Sequence, residues 1–161
     1  MIMKADEIEQ KKIDITLLLL RTAGLILLFT FGLQKLGGSI RYIASGKPWD
    51  AMPLVGLVRK VGFPLPQILT AFAVLCESVF PLLVALGIYA RTCSCLIILS
   101  MLGALYTSIY ISDPVLADGS ALQYCVIFGA IAIMGPGKYA VGRYLKIPAS
   151  KRKKQPNTVS V

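Results

Sequence analysis

Three charged residues lie in stretches that are otherwise apolar, and their types and depth make them the best candidates for chemistry. Arg21 and Lys35 belong to the apolar stretch 15–36, and Glu77 lies near the centre of the stretch 66–89. An ionisable side chain at the centre of a bilayer costs about 2.5–3.5 kcal/mol on insertion scales, so it is expected to pair or to face a ligand. Basic groups here could hold a carbonyl or anionic ligand, and the carboxylate could accept a proton.

The spacing of the two basic residues places them on one side of the first helix. They are fourteen residues apart, which corresponds to about 40° around an α-helix at about 100° per residue. Gly24 and Gly32 would let a neighbouring helix approach this helix closely. Arg21 is the simplest predicted partner of Glu77, and Lys35 is the alternative if the helices pack with a tilt.

Two interpretations of these charges remain open from the sequence. In the first, they form a structural ion pair that fixes how the helices pack. In the second, they line a polar pocket that binds an anionic or carbonyl-bearing ligand or relays protons. Tyr106 lies deep in its stretch and could add a hydroxyl, whereas Tyr110 and Tyr124 are predicted interfacial anchors. The predicted ligand-binding residues are Arg21, Lys35, Glu77 and Tyr106; no catalytic residue is identified.

The elements that must position these residues are long apolar stretches. Of the 161 residues, 56% are hydrophobic, and a membrane-spanning helix needs roughly 20 mostly apolar residues. The sequence therefore predicts an all-α fold, an integral membrane four-helix bundle. The predicted spans are 15–36, 66–89, 93–111 and 120–137.

The first connection is long and has a helical pattern of its own. The glycine pair Gly37–Gly38 is expected to end the first helix. Apolar residues then recur at helical spacing between Asp50 and Val61, which predicts a short amphipathic helix at the membrane surface, with a hydrated loop as the alternative. Asp50 would cap this helix, and Trp49 would anchor it at the interface.

Basic residues are concentrated outside the spans. The net charge is +9, but its placement beside apolar stretches favours lipid headgroups and argues against nucleic acid. Eleven Lys and Arg residues lie on the side of the termini and five on the other side, so both termini are predicted to be cytoplasmic, in a cell (inner) membrane. Residues 1–14 form a polar N-terminus, 15–145 the membrane domain, and 146–161 a basic tail that is predicted to be disordered.

The residue types exclude several kinds of active site. The chain has no histidine, and its four cysteines form no C-x-x-C pair, which argues against a metal site of the usual Cys/His kind and against a Ser-His or Cys-His pair. No covalently bound cofactor is predicted. There is no sign of a haem, flavin or iron–sulfur site, so any electrons would come from a partner protein.

Several short motifs follow one another in an order that resembles the DoxX family of small four-span membrane proteins. They are Arg21, Phe29–Gly32 with Lys35–Leu36, Gly62–Pro66, Glu77, Leu86–Arg91 and Gly135–Tyr139. The family takes its name from subunits of archaeal terminal oxidase and thiosulfate:quinone oxidoreductase systems, and distant relatives are membrane assembly factors. The resemblance therefore implies the fold more closely than it implies a reaction.

Two functions follow from the residues and the resemblance together. The first is a redox-linked membrane subunit that binds a quinone or a similar lipid-soluble ligand inside the bundle. Such a subunit could belong to a quinone-linked oxidoreductase. The alternative is a non-enzymatic assembly factor or partner-binding subunit in which the charges are purely structural. A small transporter or channel is a third function, and it would require several copies of the chain to enclose a pore. The expected partners are the lipid bilayer, another membrane or redox protein, and further copies in a homo-oligomer.

Overall fold

The computed structural model describes residues 2–111 and 120–141, with no side chain described before Ile8 or at Ser120. Every regular element within these ranges is a helix, which confirms the predicted all-α fold class. The connection 112–119 between the third and fourth predicted spans and the predicted basic tail 146–161 lie outside the described residues.

A single continuous helical rod forms the first part of the chain. It consists of α1 (Ile2–Leu27), a π-helical turn (Leu28–Gly32) and α2 (Leu33–Ala44). The prediction that Gly37–Gly38 ends the first helix is therefore wrong. Glycine inside a helix costs only about 1 kcal/mol relative to alanine, and no proline follows to break the rod before Ala44.

The other helices are shorter, and a tight turn joins the two longest. They are α3 (Pro53–Lys60), α4 (Pro66–Leu86), α5 (Ala90–Ile111) and α6 (Ser120–Met134), with a 3-10 turn at Trp49–Ala51. Gly87 ends α4 because it adopts a left-handed conformation (φ 73°) and donates its N–H to carbonyls of the last turn of α4. This turn explains why α4 ends before the predicted limit at residue 89 and why α5 begins before residue 93.

Three of the helical segments are long and apolar enough to cross a membrane: Ile8–Ala44, Pro66–Leu86 and Ala90–Ile111. The apolar helix Ala121–Met134 is shorter than such a span, so a fourth crossing stays a prediction. Only 28–39% of each long apolar window is buried inside the protein. Much of the apolar surface therefore faces outward, as expected when lipid is the solvent.

Small residues bring α1 and its π-helical turn against α4. A Cβ atom added at Gly24 would lie 3.0 Å from the Pro81 carbonyl oxygen, and one added at Gly32 would overlap the Glu77 carbonyl oxygen. The predicted close approach at these glycines is thus confirmed. It fixes the register of the two helices, because Gly32 must lie at the level of Glu77.

The apolar core lies where α1, α4, α5 and α6 meet. Its central residues, such as Ile97, Phe128 and Ile131, are fully buried. Tyr124 packs against this cluster, with its ring 6.3 Å from that of Phe31 in an edge-on arrangement. The side chain predicted to be an interfacial anchor is therefore part of the helix packing.

The amphipathic helix predicted in the first connection is present as α3, which contacts α4 and has a fully buried Val55. Asp50 does not cap it, since Met52 occupies the N-cap position. Asp50 instead accepts hydrogen bonds from Arg59 and, at 2.7 Å, from Gln67 Nε2. The carboxylate thereby ties the first connection to the start of α4.

Candidate functional site

Lys35 and Glu77 form an ion pair between α2 and α4. The Lys35 ammonium nitrogen lies 2.7 Å from Glu77 Oε1 and 2.6 Å from Oε2, so it contacts both carboxylate oxygens. The Glu77 side chain is 3% exposed and that of Lys35 is 32% exposed. The acid is therefore held inside the bundle, whereas the base is partly accessible.

The backbone beside this pair is unusual in a way that helps to place it. Leu28–Gly32 forms a π-helical turn, a feature that is frequent at functional sites. Gly32 within this turn contacts the Glu77 backbone directly. Lys35 follows three residues later, and its long side chain returns toward the carboxylate.

The predicted pairing of Arg21 with Glu77 is wrong. Because Gly32 lies level with Glu77, Arg21 is eleven residues away along the rod, or about 16 Å at 1.5 Å per residue. Helical periodicity correctly indicated an inward position for Arg21, which is 2% exposed. It could not indicate how far along α4 the opposing acid lies.

Arg21 instead packs at the other end of α4. A Cβ atom added at Gly87 would lie 2.8 Å from Arg21 Nη1 and 2.6 Å from the Ala140 Cβ atom. Arg21 Nε donates a long hydrogen bond of 3.4 Å to the Leu17 carbonyl, and Nη2 has no hydrogen-bond partner among the described residues. Arg21 therefore fills the contact between α1, the α4–α5 turn and the segment after α6.

Asp14 lies two helical turns before Arg21 and joins the same contact. Its Oδ1 atom accepts a 3.0 Å hydrogen bond from the Lys138 backbone N–H, and its Oδ2 atom lies 3.9 Å from Lys138 Nζ. We refer to Asp14, Arg21, Gly87 and Lys138 as the Arg21 seam. It fastens the beginning of the bundle to the segment that follows α6.

An apolar cavity of about 630 Å³ opens beside the Lys35–Glu77 pair, and we call it the ion-pair cavity. Its volume falls within the range of small-molecule sites, about 300–1,000 Å³. Walls come from α4 and α5, and α3 contributes Leu54, Leu57 and Val58. Lys35 and Glu77 supply the charged part of a wall that is otherwise mostly apolar.

Tyr106, predicted as a pocket residue, also lines the ion-pair cavity. Its side chain is 52% exposed. Its ring lies 5.4 Å from that of Phe63 in an edge-on arrangement and 6.3 Å from that of Tyr110. Of the four predicted ligand-binding residues, Lys35, Glu77 and Tyr106 thus meet at one cavity, and Arg21 does not line it.

Sequence reasoning missed the hydroxyl residues of this cavity. Thr70 and Ser100 line it, and neither side-chain oxygen has a hydrogen-bond partner among the described residues. Ser100 nevertheless lies beside the Cys76 thiol. The spacing of Thr70, seven residues before Glu77 on the same face of α4, was the signal that could have found it.

Polar and charged contacts at the protein surface hold the part of the first connection that leads into α3. Hydrogen bonding from the Gln67 amide, together with the nearby Arg59 guanidinium, holds the pKa of the Asp50 carboxyl below its usual value. Trp49 Nε1 adds a 3.3 Å hydrogen bond to the Gln67 carbonyl. These contacts fasten the segment before α3 to α4 beside the cavity.

The described residues contain no group of three or more His, Cys, Asp or Glu side chains arranged to bind a metal ion. All four cysteines are free thiols, and Cys76 and Cys93 are buried. Burial suits their role as small apolar packing residues.

The long apolar helices define the protein as an all-α membrane helical bundle. A comparison with protein families matches residues 16–109 to DoxX, and the chain belongs to the DoxX family. The match runs from α1 almost to the end of α5 and so includes Lys35, Glu77 and Tyr106. Comparison with curated proteins and with solved structures gives no significant match.

Proposed function

We propose that this DoxX-family protein is a redox-linked membrane subunit that binds a quinone or a similar lipid-soluble ligand in the ion-pair cavity. The observation that carries the proposal is the placement of a buried carboxylate and its lysine in the wall of an apolar cavity of about 630 Å³. Apolar walls with a few convergent polar groups are typical of sites for small organic ligands.

Each proposed ligand-binding residue has a chemical task. The Lys35 ammonium donates a hydrogen bond to a carbonyl oxygen of the ligand, and the Glu77 carboxylate accepts the proton that a quinol hydroxyl releases. The same oxidation releases a second proton, which passes to solvent water, and two electrons, which pass to a partner redox protein. Tyr106 packs its half-exposed ring along the ligand at the cavity wall.

Arg21 has no part in this proposed site, because it does not line the cavity. Its role in the proposal is to close the opposite end of the bundle within the Arg21 seam. The seam joins α1 to the segment after α6, in keeping with both termini on one side of a cell membrane, which the positive-inside rule assigns to the cytoplasm.

One observation favours the alternative of a non-enzymatic assembly or partner-binding subunit. Lys35 and Glu77 already satisfy each other, at 2.6 and 2.7 Å, so the pair is complete without a ligand. In that case, it would serve only to hold α2 against α4. The alternative predicts an ion pair that matters for stability and a cavity that ordinary lipid fills.

A variant that fills the cavity distinguishes between the two proposed functions. Gly103 lines the cavity, and a Cβ atom added there meets no atom within 4 Å, so Gly103→Leu should occupy the space without disturbing the fold. Gly129 on α6 has the same open surroundings and is not among the cavity-lining residues. Gly129→Leu is therefore a matched control.

The measurement is the amount of quinone that co-purifies with the protein in mild detergent, determined by solvent extraction and mass spectrometry. We expect the wild type and Gly129→Leu to retain quinone and Gly103→Leu to lose most of it while melting at a similar temperature. Glu77→Gln should weaken retention as well. Equal, background-level quinone in all four proteins would reject the ligand-binding function and favour the structural alternative.

A further inference from the structure

Thr70 is a wall residue of the ion-pair cavity whose hydroxyl has no role in the packing. The side chain is fully buried, and its Oγ1 atom has no hydrogen-bond partner among the described residues. Burying a hydroxyl without a partner is unfavourable, by about 1–3 kcal/mol in protein mutational data. A buried unpartnered group of this kind, in the wall of a cavity, is suited to hydrogen bonding with a ligand.

The other serine and threonine hydroxyls of the cavity have neighbours of their own. Thr107 Oγ1 donates a 2.9 Å hydrogen bond to the Gly103 carbonyl, and Ser100 lies beside the Cys76 thiol. Ser100 Oγ also has no hydrogen-bond partner among the described residues, but the neighbouring thiol is a weak acceptor within its surroundings. Thr70 therefore has more to gain from a ligand. It lies about 10 Å from Glu77 along α4, at 1.5 Å per residue.

The charge of the cavity restricts which headgroup it favours. Lys35 and Glu77 are the only charged residues among those that line it within the described parts of the chain, and their opposite charges cancel. An anionic headgroup that approached Lys35 would also meet the Glu77 carboxylate at 2.6 Å from the ammonium. A cationic headgroup would meet the ammonium in the same way, and the apolar walls would disfavour either charge.

The outer part of the cavity suits a long apolar chain. Leu99, Leu102 and Tyr106 line it, and their side chains are 60%, 50% and 52% exposed. In a bilayer, these outward-facing residues contact lipid. A ligand with its headgroup near Thr70 can therefore extend its apolar chain between α4 and α5 toward the hydrocarbon.

We propose that the ion-pair cavity selects uncharged amphiphiles with a carbonyl or hydroxyl headgroup, and that Thr70 is the residue that recognises the headgroup oxygen. The inference rests on the proposed function, namely that the cavity binds a lipid-soluble ligand. It adds that a fatty-acid-like anion with the same apolar chain is disfavoured.

The test compares two probes with the same acyl chain, methyl palmitate and palmitate, at pH 8. The full-length protein is placed in phosphatidylcholine nanodiscs, and each radiolabelled probe is counted per protein after subtraction of protein-free nanodiscs. Binding is expressed against the mole fraction of probe in the bilayer, which removes the difference in partitioning. We expect wild-type protein to bind methyl palmitate at least about tenfold better than palmitate, a difference of 1.4 kcal/mol.

Three variants test the role of the hydroxyl. Thr70→Val removes it with little change in shape and should weaken methyl palmitate binding about five- to tenfold, as expected for one hydrogen bond. Thr70→Ser keeps a hydroxyl and should retain most of the binding. Thr22→Val is the control, because Thr22 Oγ1 donates a 2.6 Å hydrogen bond to the Leu19 carbonyl and Thr22 does not line the cavity. It should bind as the wild type does, within about twofold.

A melting measurement distinguishes recognition from a structural role. Without ligand, Thr70→Val should melt at the same temperature as the wild type or higher, because it removes an unpartnered buried hydroxyl. A variant that lost both stability and binding would point to packing and overturn the inference.

Two further results would also overturn the inference while leaving the proposed function standing: equal binding of the two probes, or unchanged methyl palmitate binding by Thr70→Val. Failure of quinone and both probes to bind the wild type above background would reject the inference together with the proposed function.

Discussion

The two ends of the bundle, the ion-pair cavity and the Arg21 seam, stabilise buried charge in different ways. At the ion-pair cavity, Lys35 and Glu77 neutralise each other beside an open volume of about 630 Å³. At the Arg21 seam, the guanidinium is 2% exposed, and no carboxylate of the described residues lies within 4.0 Å of it. The first end combines charge with room for a ligand, whereas the second uses charged residues in close packing. The depth of a charged residue is therefore not enough to identify a site, and the space beside it decides.

The largest expected effect concerns the helix contact that creates the cavity end. Gly32→Val would place side-chain atoms against the Glu77 carbonyl, and backbone cannot move aside as a flexible side chain does. We expect destabilisation of about 3 kcal/mol or more, at the upper end of overpacking effects. Thermal unfolding in detergent, followed by size-exclusion fluorescence, measures it. Gly38→Val is the control, since a Cβ atom at Gly38 meets nothing within 4 Å; similar melting of both variants would contradict the close contact.

Removing either member of the ion pair should have unequal consequences. Lys35→Met leaves the almost fully buried Glu77 carboxylate alone and should cost about 3 kcal/mol. Glu77→Gln leaves Lys35, whose side chain is 32% exposed, and should cost about 1–2 kcal/mol because solvent screens that charge. Denaturant titration of both single variants and of the double variant Lys35→Met/Glu77→Gln gives the coupling energy. Additive effects in this cycle would show that the two groups do not interact.

The seam should depend on Asp14 as a hydrogen-bond acceptor. Asp14→Ala leaves the Lys138 backbone N–H without its acceptor and should cost about 1–2 kcal/mol. Asp14→Asn retains an acceptor oxygen and should cost less. Lys138→Met should change stability by less than about 0.5 kcal/mol, since its ammonium is mostly exposed. Equal losses in all three variants, measured by the same denaturant titration, would indicate that the ionic contact dominates.

Arg21→Met tests the contrast between the two ends most directly. Methionine keeps much of the packing volume and removes a buried charge that has no carboxylate of the described residues within 4.0 Å. We therefore expect stability within about 1 kcal/mol of the wild type. Quinone retention should also be unchanged, because Arg21 does not line the cavity. A variant of wild-type stability that nevertheless loses quinone would break the distinction between the seam and the cavity.

The smallest expected effect is a pH response at the edge of the cavity. The pKa of Asp50 is lowered chiefly by the Gln67 hydrogen bond and further by Arg59. The stability that the Asp50 carboxylate contributes is therefore fully present above the ordinary carboxyl pKa. That contribution is lost as the pH falls through the lowered value, because protonation removes the charge. Trp49, the single tryptophan of the chain, is bonded to Gln67 and reports the change.

We therefore expect a small red shift of Trp49 emission at acidic pH, with a midpoint below the ordinary pKa of an aspartate. Asp50→Asn should not show this transition. A midpoint at or above the ordinary value would mean that the Asp50 contacts do not form in solution. If Gln67→Ala also lacks the transition, the Gln67 side-chain amide is its main cause.

The sequence by itself determined the class of fold and the membrane. Long apolar stretches can satisfy their backbone groups in lipid only as helices or closed barrels, and their length and composition indicated helices. Charge at depth also identified Lys35 and Glu77, and the helical spacing between Asp50 and Val61 indicated α3. These inferences succeed because they depend on local composition and periodicity, which a single chain segment carries.

Only the tertiary structure decided which charges meet and where a ligand has room. Periodicity defines the angular position of Arg21 on its helix, but the contact between Gly32 and the Glu77 backbone sets how far along α4 that helix lies. That contact places Glu77 beside Lys35 and Arg21 beside Gly87. The hydroxyl of Thr70 became a candidate for the same reason, since the absence of a hydrogen-bond partner is a property of packed neighbours and not of spacing.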